Sequence, residues 1–409
     1  MSFNVETLII GGGQAGLALS YYLKQQGREH VILERAQHAA ESWRSHRWDS
    51  FTLVSPNWFM RMPGANYDGP APDAYLPRDE VVRFFEDYLR RFDLPVRFGV
   101  GATSVEPLPE GGYRVQTSDG PLTSANVVVA TGSFQTPRLP AYAAALPPDL
   151  LQLHCSEYRN PGQLQPGAAL VVGSGQSGCQ IAEELYRAGR AVYLCVGSAG
   201  RIPRRYRGRD IAAWLNEIGY WDQTIDQLPS PRARLIGQPH LSGTRGGHTL
   251  NLHQFARDGV TLLGHARAVV DGVLHLAPDL KENLARVDQF EVDILKAIDA
   301  HITAQGLDAP DETSVALRDG YAVPDIPQLD LRAAGISNVI WACGFNWDYT
   351  WVKLPVLDAL GFPTQRRGVT AYPGLYFLGM HLLYKVKSGT LLGVGEDAAY
   401  LAEMIVKSA

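Results

Sequence analysis

The stretch Val5-Glu6-Thr7-Leu8-Ile9-Ile10-Gly11-Gly12-Gly13-Gln14-Ala15-Gly16 decides how the rest of the chain is read. Its first half is apolar and β in character. Its second half fits G-x-G-x-x-G with glycines at 11, 13 and 16. A helical stretch follows from Gln14 to about Gln26, and Gly27 stops it. His30 to Leu33 is a second apolar run that ends in Glu34. Together these make one βαβ unit, which implies a parallel sheet. Gly11 allows the tight turn, Gly13 lets backbone approach a pyrophosphate, and Gly16 lets helix and strand pack closely. The helix N-terminus offers unpaired N–H groups and partial positive charge to phosphates. Glu34, about twenty residues on, is placed to accept hydrogen bonds from ribose hydroxyls.

The pattern recurs inside the chain. Ala168 to Val172 reads as a strand, Gly173-Ser174-Gly175-Gln176-Ser177-Gly178 as the loop, and the helix runs to about Ala188. Gly189 and the strand Ala191 to Val196 follow. This second unit ends in Leu194-Cys195-Val196-Gly197-Ser198, with no acid. A carboxylate there would repel a 2′-phosphate, so its absence permits one. Arg201, Arg204, Arg205, Arg207 and Arg209 come next. Two readings stay open for them: a solvated basic loop, or one or two arginines paired with the phosphate of NADPH.

The bulk properties agree with a globular enzyme. The chain has 409 residues, 45% hydrophobic and 19% charged, which suggests two or three domains. A net charge of −5 argues against binding nucleic acid by phosphate neutralisation. No basic stretch followed by an apolar run opens the sequence, and no long apolar segment suggests a membrane span. A cytoplasmic location is the expectation. Cys155, Cys179, Cys195 and Cys343 form no Cys-x-x-Cys pair. That counts against a dithiol relay and a cysteine-rich metal site, and no histidine shows metal spacing.

Other features place the remaining elements. Ala125 to Ala130 is an apolar run that ends in Thr131-Gly132, and a proline-rich stretch (Pro137, Pro140, Pro147, Pro148, Pro161) reads as an inter-domain link. Leu280, Leu284, Val287, Phe290, Ile294 and Ile298 space a long amphipathic helix over Asp279 to Ile302. Val339 to Ala342 and Leu375 to Leu378 read as buried strands, and Ala398 to Val406 as a closing helix. Trp43 and Arg44, with Arg47-Trp48-Asp49, either flank a flat ring or simply pack. His154 either couples two nucleotide modules or caps a turn. Trp58, Trp214, Tyr220 and Trp221 either line an aromatic pocket or belong to the core.

These residues together resemble the flavin-containing monooxygenases, in particular the bacterial and plant-type members of about four hundred residues that include the cation-resistance-associated and auxin-forming branches. The resemblance rests on the two glycine loops, Glu34, Ser42-Trp43-Arg44 with Trp48-Asp49, Ala130-Thr131-Gly132, His154-Cys155-Ser156 with Tyr158 and Asn160-Pro161, Trp341-Ala342-Cys343-Gly344-Phe345, and Gly374 to Gly379. It implies an α/β fold with two Rossmann-like units, an NAD(P)H domain over 164–330 inserted into a discontinuous FAD domain of 1–163 and 331–409. It implies FAD contacts at Gly11, Gly13, Gln14, Ala15, Gly16, Glu34, Arg35, Ser42, Trp43, Arg44, Val105, Ala130, Gly132 and Gly379. For NADPH, with NADH tolerated, it implies Gly173, Ser174, Gly175, Gln176, Ser177, Gly178, Ser198, Arg201 and Arg204. The family arginine after the second strand falls at Gly197. The family oxygenation asparagine falls at Val54, and Asn57 three residues later is the nearby side chain nominated for that role. The implied activity is oxygenation of a small organic substrate by O2, at nitrogen, sulfur or a ketone, through a flavin C4a-(hydro)peroxide. The alternatives are an NAD(P)H oxidase or quinone or metal reductase, and a low-turnover flavin sensor. No metal, nucleic-acid or membrane partner is expected, and a dimer is compatible.

Overall fold

The computed structural model describes residues 4–228, 239–312 and 316–407. Two parallel sheets share one strand order. In the first, Val96–Phe98, His30–Glu34, Val5–Ile10 and Gly120–Val129 lie side by side, and Leu375–Phe377 pairs with the far edge of Gly120–Val129. In the second the order is Thr261–Leu263, Val192–Cys195, Ala168–Val172, Ile336–Trp341 and Leu151–His154. These strands are nearly continuous in Val, Ile and Leu because helices or other layers cover both faces. Val127, Val128, Leu170, Val171, Val339 and Ile340 are all essentially inaccessible to solvent. The first sheet also carries the antiparallel strands Ala102–Pro107 and Tyr113–Thr117.

The order shows where the chain changes sheets. Strands Leu151–His154 and Ile336–Trp341 both belong to the second sheet, pairing in register Leu151 to Asn338 through His154 to Trp341. The second sheet therefore extends on both sides of the expected 164–330 segment. The linker is the shorter stretch after Ala130, and the return crossing follows Ala342. The two crossings touch as a small antiparallel pair, Thr136–Pro137 against Phe345–Asn346. His154, buried between them, contacts the Gly344 carbonyl through Nε2 at 3.0 Å and packs edge-on against Phe345. It thus joins strand and crossing through Nε2, while Nδ1 caps the turn that follows through Ser156.

The long helix runs Leu280–Gln305, close to the periodic stretch, and Val394–Lys407 closes the described chain. One apolar cluster spans both units, from Leu8 and Val128 through Trp48 and Tyr158 to Val171 and Ile181. Polar staples reinforce it. Ser50 and Tyr158 both donate to the Glu184 carboxylate on the second unit's first helix, at 2.5 and 2.6 Å. Lys385 and Lys387 bridge Asp222 and Glu396. Among the described residues no helix is long and apolar enough to cross a membrane.

Candidate dinucleotide sites

The two glycine loops have the same shape. Gly11 adopts φ +116° and Gly173 φ +110°, backbone that favours glycine. A Cβ on Gly11 would lie 2.6 Å from the Ala130 carbonyl oxygen, and one on Gly173 2.5 Å from that of Ala342. A Cβ on Gly16 would fall 2.0 Å from the Gly11 oxygen, and one on Gly178 1.9 Å from the Gly173 oxygen. By contrast, a Cβ on Gly13 or Gly175 would meet nothing within 4 Å. Those two glycines cap the helices Gln14–Gln25 and Gln176–Arg187 without any side-chain cap. The first-turn N–H groups therefore face open space, an anion-binding arrangement. A pyrophosphate fits this cradle, and a side chain at either open glycine would fill it.

Each loop is braced from above by the glutamine that opens its helix. Gln14 donates from Nε2 to the Gly389 carbonyl at 2.8 Å. Gln176 donates from Nε2 to the Leu241 carbonyl and accepts the Leu241 N–H. Ala15 packs against Gly379, where a Cβ would come within 2.4 Å of Ala15 Cβ, at φ +76°. Ala130-Thr131-Gly132 and Ala342-Cys343-Gly344 occupy equivalent places after the fourth strand of each sheet, with Gly132 and Gly344 both at positive φ.

The strand ends differ. Glu34 accepts the Gly12 N–H on Oε2 at 2.8 Å and the Ala36 N–H on Oε1 at 2.9 Å. In the second unit the polarity is reversed: the Gly197 N–H donates to Ser174 Oγ at 2.9 Å. Ser174 is buried and Ser198 is exposed.

Several expected contacts are already spoken for. Arg201 is buried and paired with Asp288 and Glu291 of the long helix. Arg204 is buried between Asp210 at 2.6 Å, the Val54 carbonyl at 2.6 Å and the Tyr75 ring. Tyr75 donates to the other Asp210 oxygen, and burial followed by that carboxylate pushes its hydroxyl up to about 12. Arg205 bonds the Gly246 and Gly247 carbonyls, Arg207 pairs with Asp299 and Asp311, and Arg209 with Glu217. The basic cluster thus forms a network of ion pairs, in which Arg201 and Arg204 are engaged with Asp288, Glu291 and Asp210. Val105 is likewise engaged within the protein. It is wholly buried, its N–H donates to Trp351 O, and its carbonyl accepts from Lys353 N–H.

Around the first unit's open end, Arg35 and Ser42 are exposed, Trp43 is half-buried, and Arg44 is paired with Glu86. Arg47, named with Trp48 and Asp49 as a candidate to flank a flat ring, packs among aromatic rings. Its guanidinium lies 5.3 Å from the Trp43 ring, 5.5 Å from Phe51 and 5.9 Å from Phe134. Asn57 is buried, with Nδ2 donating to the Ala71 carbonyl at 2.9 Å and no described partner for Oδ1. Trp214 belongs to the core, donating to the Tyr206 carbonyl at 2.7 Å. Trp58 and Trp221 instead meet Phe59, Ala212 and Leu392 in a small cluster where the two units touch.

Three of the four cysteines, Cys155, Cys179 and Cys195, are buried, and Cys343 is partly exposed. Burial pushes the Cys155 thiol up to about 11 and the Cys195 thiol up to about 12, and raises those of Cys179 and Cys343 as well. The thiolate is the reactive form, and here it is disfavoured.

Comparison with known proteins decides the family. The sequence profile of the pyridine nucleotide-disulphide oxidoreductases matches residues 8–218. The chain belongs to that family. An uncharacterized CzcO-like oxidoreductase of Geobacillus kaustophilus is 34% identical over 99% of both chains. The indole-3-pyruvate monooxygenase YUCCA1 of Oryza sativa subsp. japonica is 32% identical over 56% of this chain and 57% of its own. A flavin-containing monooxygenase structure from Stenotrophomonas maltophilia superposes with a TM-score of 0.66 at 20% identity, covering 98% of both chains. The expected two-unit α/β fold, the kinship with flavin-containing monooxygenases and the assignment as an oxidoreductase enzyme all stand.

Proposed function

We propose that the chain is an FAD-dependent, NADPH-consuming monooxygenase that inserts one oxygen atom of O2 into a small organic substrate, at nitrogen, sulfur or a ketone. The observation that carries this reading is the pair of cradles, each open only at its middle glycine, Gly13 and Gly175. Two dinucleotides fit one molecule this way, and relatives named as monooxygenases share the frame.

The first cradle would hold FAD, with its pyrophosphate on the N-terminus of Gln14–Gln25 and Glu34 at the adenosine ribose. Ala130 to Gly132, Gly379 to Gly389 and the Trp43–Arg47 segment surround the ring end. The second would hold NADPH on the N-terminus of Gln176–Arg187. Bound FAD supplies the redox chemistry, taking hydride from the nicotinamide and delivering electrons to dioxygen. The chain's own work is to orient both cofactors and keep water out. Trp58, Phe59, Trp221 and Leu392 form an apolar seal where the units meet. Asn57 keeps Oδ1 as an unspent acceptor beside that seal. The absence of a Cys-x-x-Cys pair and the burial of Cys155, Cys179 and Cys195 speak against a dithiol disulfide reductase.

The test measures NADPH and O2 consumed, and hydrogen peroxide released, by FAD-loaded enzyme with a panel of thioethers, tertiary amines and cyclic ketones. With a true substrate, peroxide falls well below NADPH consumed, and 18O from labelled dioxygen enters the product. Asn57→Ala raises the peroxide fraction. Stoichiometric peroxide with every compound would make the enzyme an oxidase.

A further inference from the structure

The missing acid at the end of the second unit's second strand leaves a question of what recognises the nucleotide there. The expected arginines are committed elsewhere, to Asp288, Glu291 and Asp210. The strand order supplies a different answer. Thr261–Leu263 lies parallel beside Val192–Cys195, with Cys195 opposite Leu263. The residues that follow each strand therefore emerge together at the C-terminal edge of the sheet, where nucleotides bind in open α/β sheets. The Val196 N–H donates to the Leu263 carbonyl, which fixes the two exits against each other.

At that edge, Gly197 leaves the space of a side chain vacant. A Cβ there would lie 3.7 Å from His265 Nε2, with no other atom of the described residues within 4 Å. The imidazole thus faces the space that Gly197 leaves at the end of the second strand. Its other edge is fixed. His265 Nδ1 lies 2.7 Å from Asp279 Oδ2, and its backbone N–H donates to Asp279 Oδ1 at 2.9 Å. Asn283, buried beneath, contacts both Nδ1 at 3.1 Å and the Val196 carbonyl at 3.2 Å. A carboxylate on Nδ1 orients the ring and turns Nε2 outward, toward the space beside Gly197. Among the described residues no group bonds Nε2. Arg267 stands on the same exit, largely exposed, 3.8 Å from the same Asp279 oxygen. His265 and Arg267 thus share one carboxylate, and the largely exposed Arg267 guanidinium keeps donors free for an anion at this corner.

We propose that His265 and Arg267, set by Asp279, recognise the 2′-phosphate of NADPH and confer preference for it over NADH. The proposal rests on the reading of the second unit as the NADPH site. Recognition comes from the third strand's exit, in the space that Gly197 vacates, rather than from the loop after the second strand.

The test is calorimetric titration of FAD-loaded enzyme with 2′,5′-ADP and with 5′-AMP, which differ only in the 2′-phosphate. Wild type binds 2′,5′-ADP more tightly. His265→Ala and Arg267→Ala each weaken 2′,5′-ADP about tenfold and leave 5′-AMP within about twofold, the size of one charge-assisted contact. Arg267→Lys keeps most of the affinity. Equal losses on both probes would make His265 an adenine-packing residue, and unchanged binding in both variants would put the phosphate elsewhere; either overturns the proposal. If wild type itself fails to distinguish the two probes, the NADPH reading of the second unit falls first, before any variant is compared.

Discussion

The two glycine loops differ little in backbone and sharply at the strand that follows. In both, a Cβ on the turn or helix-packing glycine would lie 1.9 to 2.6 Å from a backbone oxygen, and the middle glycine is open. In the first, a carboxylate from the strand end ties to the loop; in the second, a loop serine ties to a glycine of the strand end. The lesson is a division of labour. Phosphate binding is a backbone property, set by helix N-termini and by close approach. Discrimination between dinucleotides is a side-chain property, and a neighbouring strand can supply it.

The largest expected effect tests the shared half of the comparison. Gly16→Ala and Gly178→Ala each force a Cβ to within 2.0 Å of a backbone oxygen. Each should cost about 3 kcal/mol or more and yield little folded protein, read by thermal melting and soluble yield. A variant that melts like wild type would show that the loop relaxes and that the tight packing is dispensable.

Next in size is Arg204→Ala. It leaves Asp210 buried without its cation, which costs about 3–5 kcal/mol for such a pair. The melting temperature should drop by several degrees while the ratio of NADPH to NADH affinity stays put. A changed ratio with unchanged melting would return Arg204 to the nucleotide site.

Glu34→Gln tests the half that differs. An amide cannot accept from both Gly12 N–H and Ala36 N–H, because one of its ends is a donor. Losing a hydrogen bond to a charged group costs roughly 1.5–3 kcal/mol, so FAD should dissociate about tenfold more readily in a flavin-release assay. Ser174→Ala removes the corresponding tie in the second unit, a neutral bond of about 1 kcal/mol. It should weaken NADP+ binding only a few-fold.

Much of this was legible in the sequence. The glycine spacing fixes both cradles, because few other residues fit φ near +110° or tolerate the contact at the third glycine. The long helix was visible from its apolar spacing, expected over 279–302 and observed over 280–305. The edge strand Leu151–His154 was not. Four residues with polar Gln152 and His154 among prolines read as linker, and the strand's partner lies some 180 residues away in sequence at Asn338 to Trp341. The arginines after the second loop were visible as charge but not as pairs, since acids of Arg201 and Arg207 come from the distant long helix and Arg204 meets Asp210 only once the chain turns back on itself. His265 and Arg267 were invisible for the same reason. Only the strand order brings them to Gly197, although the repeated Ala-x-Gly after strands at 130 and 342 hinted that the two units were built alike.

The central claim is that two cradles of one design hold two different dinucleotides. The most direct measurement replaces the open glycine of each by valine and reads both cofactors in both variants, flavin content by absorbance and NADP+ affinity by titration. Since neither Cβ position has an atom within 4 Å, both variants should fold. Gly13→Val should purify without FAD, and Gly175→Val should keep its FAD and lose NADP+ binding by at least a hundredfold. Full flavin in Gly13→Val, or undiminished NADP+ binding in Gly175→Val, would contradict the account.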